Sequence, residues 1–129
     1  AKGLEEDVIA AIIKNEIIDD AMVKSFFHEY SKNLKEIAVT KKLQLKTGIL
    51  IVGNPVNVVD VAKAAKADFV SSNHYFTDER MVAEVKNAGL GMTVWNCDNE
   101  YDINRMLRLN VDMIASNRPD LLLRVLGRR

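Results

Sequence analysis

His28, His74, Trp95 and Cys97 are all the histidines, tryptophans and cysteines of this 129-residue chain. Each stands in a short polar segment that directly follows an apolar run: Ser25 to His28, Ser71 to His74 and Trp95 to Asp98, with Gly53-Asn54 and Ser116 to Arg118 completing the set. In a parallel α/β sheet, ligands sit at the carboxyl ends of the strands, so these are the positions where chemistry would be placed. Strand ends also meet solvent, and polar loops belong there in any case. Trp95 on a strand end is either a pocket wall or an aromatic capping the core, and in both settings its indole N–H needs an acceptor. In Asn117-Arg118-Pro119-Asp120, proline suits the first turn of a helix and Ser116 or Asn117 could cap it. A helix start beside Arg118 is a ready anion site; the alternative is that Arg118 pairs with Asp120 or Asp112 on the surface. His28 and His74 are candidate acid–base groups or ligands, or solvated loop residues. Cys97 has no neighbouring lysine or arginine to activate a thiolate.

Metal motifs fare worse. Glu5-Glu6-Asp7 and Glu100-Tyr101-Asp102 have the Glu-x-Asp form, which on a strand would aim two carboxylates to one side. Both fall in expected helices, where that spacing splays them, so neither is taken as a metal site. A phosphate-cradling glycine loop, a Cys-x-x-Cys pair and a Gly-x-Ser-x-Gly elbow are all lacking.

The elements that would position these residues follow from periodicity. Leu4 to Ile18 reads as an amphipathic helix with Glu5, Glu6 and Asp7 at its start. Met22 to Phe27 is a buried strand if Lys24 lies at its edge or near its end. Glu29 to Ala38 is a helix, Leu45 to Val52 a strand stopped by Gly53-Asn54-Pro55, and Val56 to Ala67 a helix. Asp68 to Ser72 is the third strand. Thr77 is the expected cap of a helix over Asp78 to Ala88 that Gly89 ends. Gly91 to Trp95 is strand four; Asp98 or Asn99 caps the next helix, and Val111 to Ala115 is strand five. Successive strands begin about twenty to twenty-six residues apart without a hairpin signal between them. Five β-then-α units imply a parallel sheet, either doubly wound or part of a (β/α)8 barrel. A full barrel needs roughly 200 residues or more, so this chain supplies a little over half of one.

With 48% hydrophobic residues the chain suits one domain over 1–129. Eighteen basic residues balance eighteen acidic ones, so nucleic acid and anionic membrane surfaces lose weight as partners. No apolar run spans a membrane, and the start lacks the layout of a signal peptide. With one cysteine, the expectation is a soluble protein of a reducing, cytoplasmic compartment.

The stretch Gly89 to Asn96, the helix Asp98 to Leu109 and the ending Asn110-Val111-Asp112-Met113-Ile114-Ala115-Ser116-Asn117-Arg118-Pro119-Asp120-Leu121-Leu122 resemble the C-terminal end of the glycerophosphodiester phosphodiesterase family. That family typically shows a Gly-Leu-x-Val-x-Val-Trp-Thr-Val-Asn strand and a Gly-Val-Asp-Gly-Ile-Ile-Thr-Asp-x-Pro-Asp-Leu ending. Upstream, Ser25-Phe26-Phe27-His28 is similar to its Ser-Phe-Asn-His step, Lys46 to Leu50 to its Thr-Gly-Leu-Leu strand, and Thr77 to Val82 to its Thr-Pro-Glu-Leu-Val helix start. The resemblance covers essentially the whole chain, as strands four to eight of a (β/α)8 barrel. It implies a hydrolase of phosphoric diesters in glycerophospholipid metabolism, assisted by a divalent cation, Mg or Ca. It also implies that Trp95 is an apolar platform beside the alcohol group, with Phe26, Arg118 and His74 the other candidate substrate contacts.

The family's His-Arg-Gly, Pro-Glu-Asn-Thr, Glu-x-Asp and Glu-x-Lys motifs belong to its first three strands, and none occurs here. Metal ligands and catalytic residues are therefore expected outside this chain. Asn117 stands where the family has aspartate and Asn96 where it has threonine. Five strands cut from a closed barrel leave two edges and an apolar face bare, so a missing N-terminal half or self-association should cover them. The competing reading is a non-catalytic half-barrel that acts as an oligomerisation or binding module.

Overall fold

The computed structural model describes residues 3–128. Five strands, β1 (Met22–Ser25), β2 (Lys46–Ile51), β3 (Phe69–Asn73), β4 (Gly91–Trp95) and β5 (Met113–Ile114), form one sheet. All neighbours are parallel and the spatial order is the chain order, β1-β2-β3-β4-β5. Six helices accompany them: α1 (Leu4–Lys14), α2 (His28–Thr40), α3 (Val58–Ala64), α4 (Glu79–Asn87), α5 (Glu100–Arg108) and α6 (Pro119–Val125). A doubly wound sheet reverses its strand order at a switch point. This sheet does not. Right-handed crossovers that always step the same way keep every helix on one face, which makes the sheet an arc of a (β/α)8 barrel.

Strand parity divides the residues between the two faces. Ile49, Ile51, Val70, Met92 and Val94 point to the helices and join Val58, Ala62, Met81, Val85, Ile103 and Met106 in the main core. Ile9, Ile12, Leu34, Ala38 and Leu45 form a second cluster where α1 and α2 cover the β1 end. The register Lys24↔Gly48↔Phe69↔Gly91 and Ser71↔Thr93↔Met113 defines the opposite, concave face. Gly48 must be glycine there, because a Cβ would fall 2.3 Å from the Phe69 ring that lies across it.

Two aspartates repeat one device that sets this register. Asp68, just before β3, accepts the Thr47 N–H of the neighbouring strand at 2.8 Å and pairs with Lys35 of α2. Asp112, just before β5, accepts the Met92 N–H at 2.7 Å and pairs with Lys86 of α4. Each carboxylate satisfies the N–H of a strand's second residue.

Several expected boundaries shift. The first helix stops at Lys14 rather than Ile18: Asn15 caps it, Glu16 turns left-handed at φ 53°, and Ile18–Asp20 makes a separate 3-10 turn. Strand one ends at Ser25, leaving Phe26 and Phe27 exposed, and it is an edge strand rather than a buried one. The α3 helix is shorter than expected and β5 has two residues. Thr77 does not cap α4: its hydroxyl donates to the Asn73 carbonyl, and Asp78 accepts the Met81 N–H at 2.9 Å instead. At α5 the cap is Asn99, which accepts from Asp102 N–H, while Asp98 serves the next loop. No side chain caps α6; Ser116 accepts the Arg118 N–H ahead of Pro119. No helix among the described residues is long and apolar enough to cross a membrane.

Candidate functional site at the strand ends

Interior positions on β1 run Met22, Lys24 and then, just past the strand, Phe26. On β4 they run Gly91, Thr93, Trp95. The two aromatic residues at the tops of these series meet edge to face with ring centroids 5.8 Å apart, the arrangement that ring quadrupoles favour. Trp95 is half-buried and its indole N–H donates to the Ser71 carbonyl at 3.2 Å. That bond fixes the ring plane without using a side-chain acceptor, so the exposed part of the indole and Phe26 form one apolar wall at the mouth. Below it lie Lys24, whose ammonium donates to the Ser71 hydroxyl at 3.1 Å, and the buried Ser71 and Thr93. A groove lined by Met22, Lys24, Phe69, Thr93, Met113 and Ala115 continues down the concave face.

The loops after β3, β4 and β5 form a second, polar group. Asp98 accepts from the Asn117 backbone and side-chain N–H groups at 2.7 and 2.9 Å and from the Ser116 hydroxyl at 3.1 Å. The Asn117 bonds foremost hold its carboxyl below the usual range. His74 lies one strand over. Its Nδ1 is buried without a hydrogen-bond partner and sits 3.7 Å from the Asp102 carboxylate, too far for a hydrogen bond. Arg105 braces the same turn by donating to the His74 and Thr77 carbonyls.

The remaining candidates are placed apart from the wall. His28 opens α2, with Nε2 2.8 Å from the Leu50 carbonyl, so this ring ties α2 to β2. Arg118 forks onto Asp120, Nε to Oδ1 at 3.1 Å and Nη2 to Oδ2 at 2.9 Å. The bidentate contact draws the Asp120 carboxyl down to about 2. Arg118 is thus already supplied with an anion. Cys97 is fully buried, and burial, with Asp102 nearby, pushes its thiol up to about 11, opposite to what a nucleophile needs. Sequence reasoning singled out Phe26 and Trp95, which the fold brings together, included Ser71 only as the start of a strand-end segment, and gave Lys24 no role at the site. The period-two series Met22, Lys24, Phe26 was the available signal for Lys24.

Among the described residues no group of three or more His, Cys, Asp or Glu side chains is placed to hold a metal ion. The donors among these residues do not assemble a ligand set for the divalent cation that the resemblance implies.

Residues 4–121 match the model of the glycerophosphoryl diester phosphodiesterase family. A glycerophosphodiester phosphodiesterase of Caldanaerobacter subterraneus is 26% identical over 121 residues, which are 94% of this chain and 48% of that protein. Among solved structures, a Galdieria sulphuraria protein assigned as a glycerophosphodiester phosphodiesterase superposes with TM-score 0.87 at 26% identity, over 99% of this chain and 52% of that one. An Oleispira antarctica phosphodiesterase, solved with its product sn-glycerol-3-phosphate, shares the fold at TM-score 0.76 and 16% identity, over 98% of this chain and 52% of its own. The chain spans about half the length of these relatives and is a partial barrel. With its family model matched from the first helix into the last, this chain belongs to the glycerophosphoryl diester phosphodiesterase family.

Proposed function

We propose that this chain supplies one wall of the substrate pocket of a glycerophosphodiester phosphodiesterase-like hydrolase, while the metal ligands and acid–base residues reside on the strands that complete the barrel. The observation that carries the reading is the Phe26–Trp95 pair at the strand ends, facing the concave side of the sheet. In hydrolysis of a glycerophosphodiester, such a wall packs on the carbon skeleton of the alcohol and orients the ester. Packing of this kind is made alike in the ground state and the transition state, so it acts on binding rather than on the chemical step.

The bare concave face is the surface on which the complementary strands would assemble. Met22 and Met113 on it are 39% and 52% exposed, and parallel sheets are normally covered on both faces. The open edges of β1 and β5 would take the flanking strands of the same barrel.

In a barrel completed with the missing strands, Trp95→Ala is expected to raise KM for a glycerophosphodiester about tenfold and to leave kcat nearly unchanged. The lost wall contributes binding that ground state and transition state share, and a tenfold change corresponds to about 1.4 kcal/mol. Steady-state kinetics on the variant measure this. Unchanged KM would remove Trp95 from the pocket.

A further inference from the structure

The concave face carries one cation at the depth where an anionic ligand would lie. Lys24 is exposed on that face, and the lysines that pair with carboxylates among the described residues are Lys35, Lys66 and Lys86. An ammonium has three N–H donors. Lys24 commits one, to the Ser71 hydroxyl. The other two N–H groups make no bond to a protein acceptor among the described residues and are free for a ligand. Ser71 is fully buried, so its hydroxyl anchors the ammonium from beneath and does not itself meet a ligand.

We propose that Lys24, held in place by the Ser71 hydroxyl, binds the phosphoryl group of the ligand, a phosphate ester of a small polyol. The inference rests on the pocket-wall reading above and adds the group that takes the charge. Several acceptor oxygens on one tetrahedral centre suit an ammonium that is anchored by one N–H and has two to give, and lysine recognises phosphate as a point charge. Position agrees with chemistry. Lys24 lies one interior step below Phe26, so an ester whose phosphoryl group contacts Lys24 lays its alcohol against Phe26 and Trp95. Partial burial without a counter-charge holds the Lys24 ammonium below its ordinary value, the condition that a bound anion relieves.

Trp95 is the chain's only tryptophan and reports on this site. The chain is titrated with sn-glycerol 3-phosphate, inorganic phosphate and glycerol while its fluorescence is followed. Both phosphates are expected to bind, sn-glycerol 3-phosphate the tighter, and glycerol alone is expected to leave the signal flat. Lys24→Met should weaken phosphate binding about tenfold or more, as loss of a charged hydrogen bond does, and Lys24→Arg should recover most of it. Lys46→Met removes an equal charge from the foot of the same face and should change nothing. Far-ultraviolet circular dichroism confirms that each variant is folded. Phosphate binding that survives Lys24→Met, or no phosphate binding by the native chain at millimolar concentration, overturns the proposal. Lys24-dependent binding in which glycerol phosphate gains nothing over inorganic phosphate upholds the Lys24 site and counts against the glycerophosphodiester pocket.

Discussion

Combined with the part of the Caldanaerobacter relative that lies outside the 121 matched residues, the chain is expected to hydrolyse glycerophosphodiesters that neither piece hydrolyses alone. The expected gain is on the order of 10⁶-fold or more over the uncatalysed reaction, the low end of what enzymes achieve. The physical basis is the proposed division of labour along the barrel. The chain offers an aromatic wall and an unpaired ammonium on its concave face, and among its described residues no cluster of metal-binding side chains. Assembly has a driving force of its own, because joining the halves covers Met22, Met113 and the groove between them and pairs the edges of β1 and β5. Hydrolysis measured on the mixture and on each piece decides the matter. Co-elution with no gain in rate would show that the halves join without making the site.

The largest effect on stability is expected from Ile49→Ala. Ile49 is fully buried at the centre of the helix-covered face, among Val58, Val70 and Met81, and truncating such a residue costs about 2–5 kcal/mol through lost burial and the cavity left behind. Met113→Ala makes the contrast. On the bare face, 52% exposed, it should change the stability of the isolated chain by no more than about 0.5 kcal/mol. Urea unfolding of both variants measures the difference. Equal costs would mean that the concave face is already covered, by self-association or otherwise, and dilution would then separate those cases.

The order of elements was legible because period-two and helical patterns alternate along the whole chain. Gly91–Trp95 came out with its boundaries intact, since glycine and the Trp95-Asn96 step punctuate it on both sides. Strand one did not. MVKSFF is apolar enough for a buried strand, yet as an edge strand it turns Met22 and Lys24 to the open face and releases Phe26 and Phe27 after Ser25. Alternation alone cannot tell an edge from a centre, because that depends on what lies alongside. The choice between a doubly wound sheet and a barrel arc was likewise a matter of strand order, which spacing does not carry.

At the site, the wall was legible and its support was not. Trp95 and Phe26 stood out by type, but that Ser71 would hold the indole with its carbonyl and Lys24 with its hydroxyl follows from register two strands apart. Arg118 illustrates the opposite limit. Its place ahead of Pro119 suits an anion site, and the two-residue step to Asp120 lets the side chains fork together on the surface. The capping choices at α4 and α5 went to Asp78 and Asn99, whose side chains reach the N–H three residues on. Thr77 was one residue early, while at α5 the second of the two expected caps, Asn99, holds the place; Thr77 and Asp98 are drawn into the loops that join neighbouring strand ends.

The most direct test of the account is the simplest assay. The purified chain is incubated with glycerophosphodiesters in the presence of Mg²⁺, Ca²⁺ or Mn²⁺ in turn, and release of glycerol phosphate is followed. No turnover above buffer is expected with any of them, since the proposed wall and phosphate-binding lysine hold an ester but supply neither a metal-bound nucleophile nor an acid. Sustained turnover by the chain alone would contradict it.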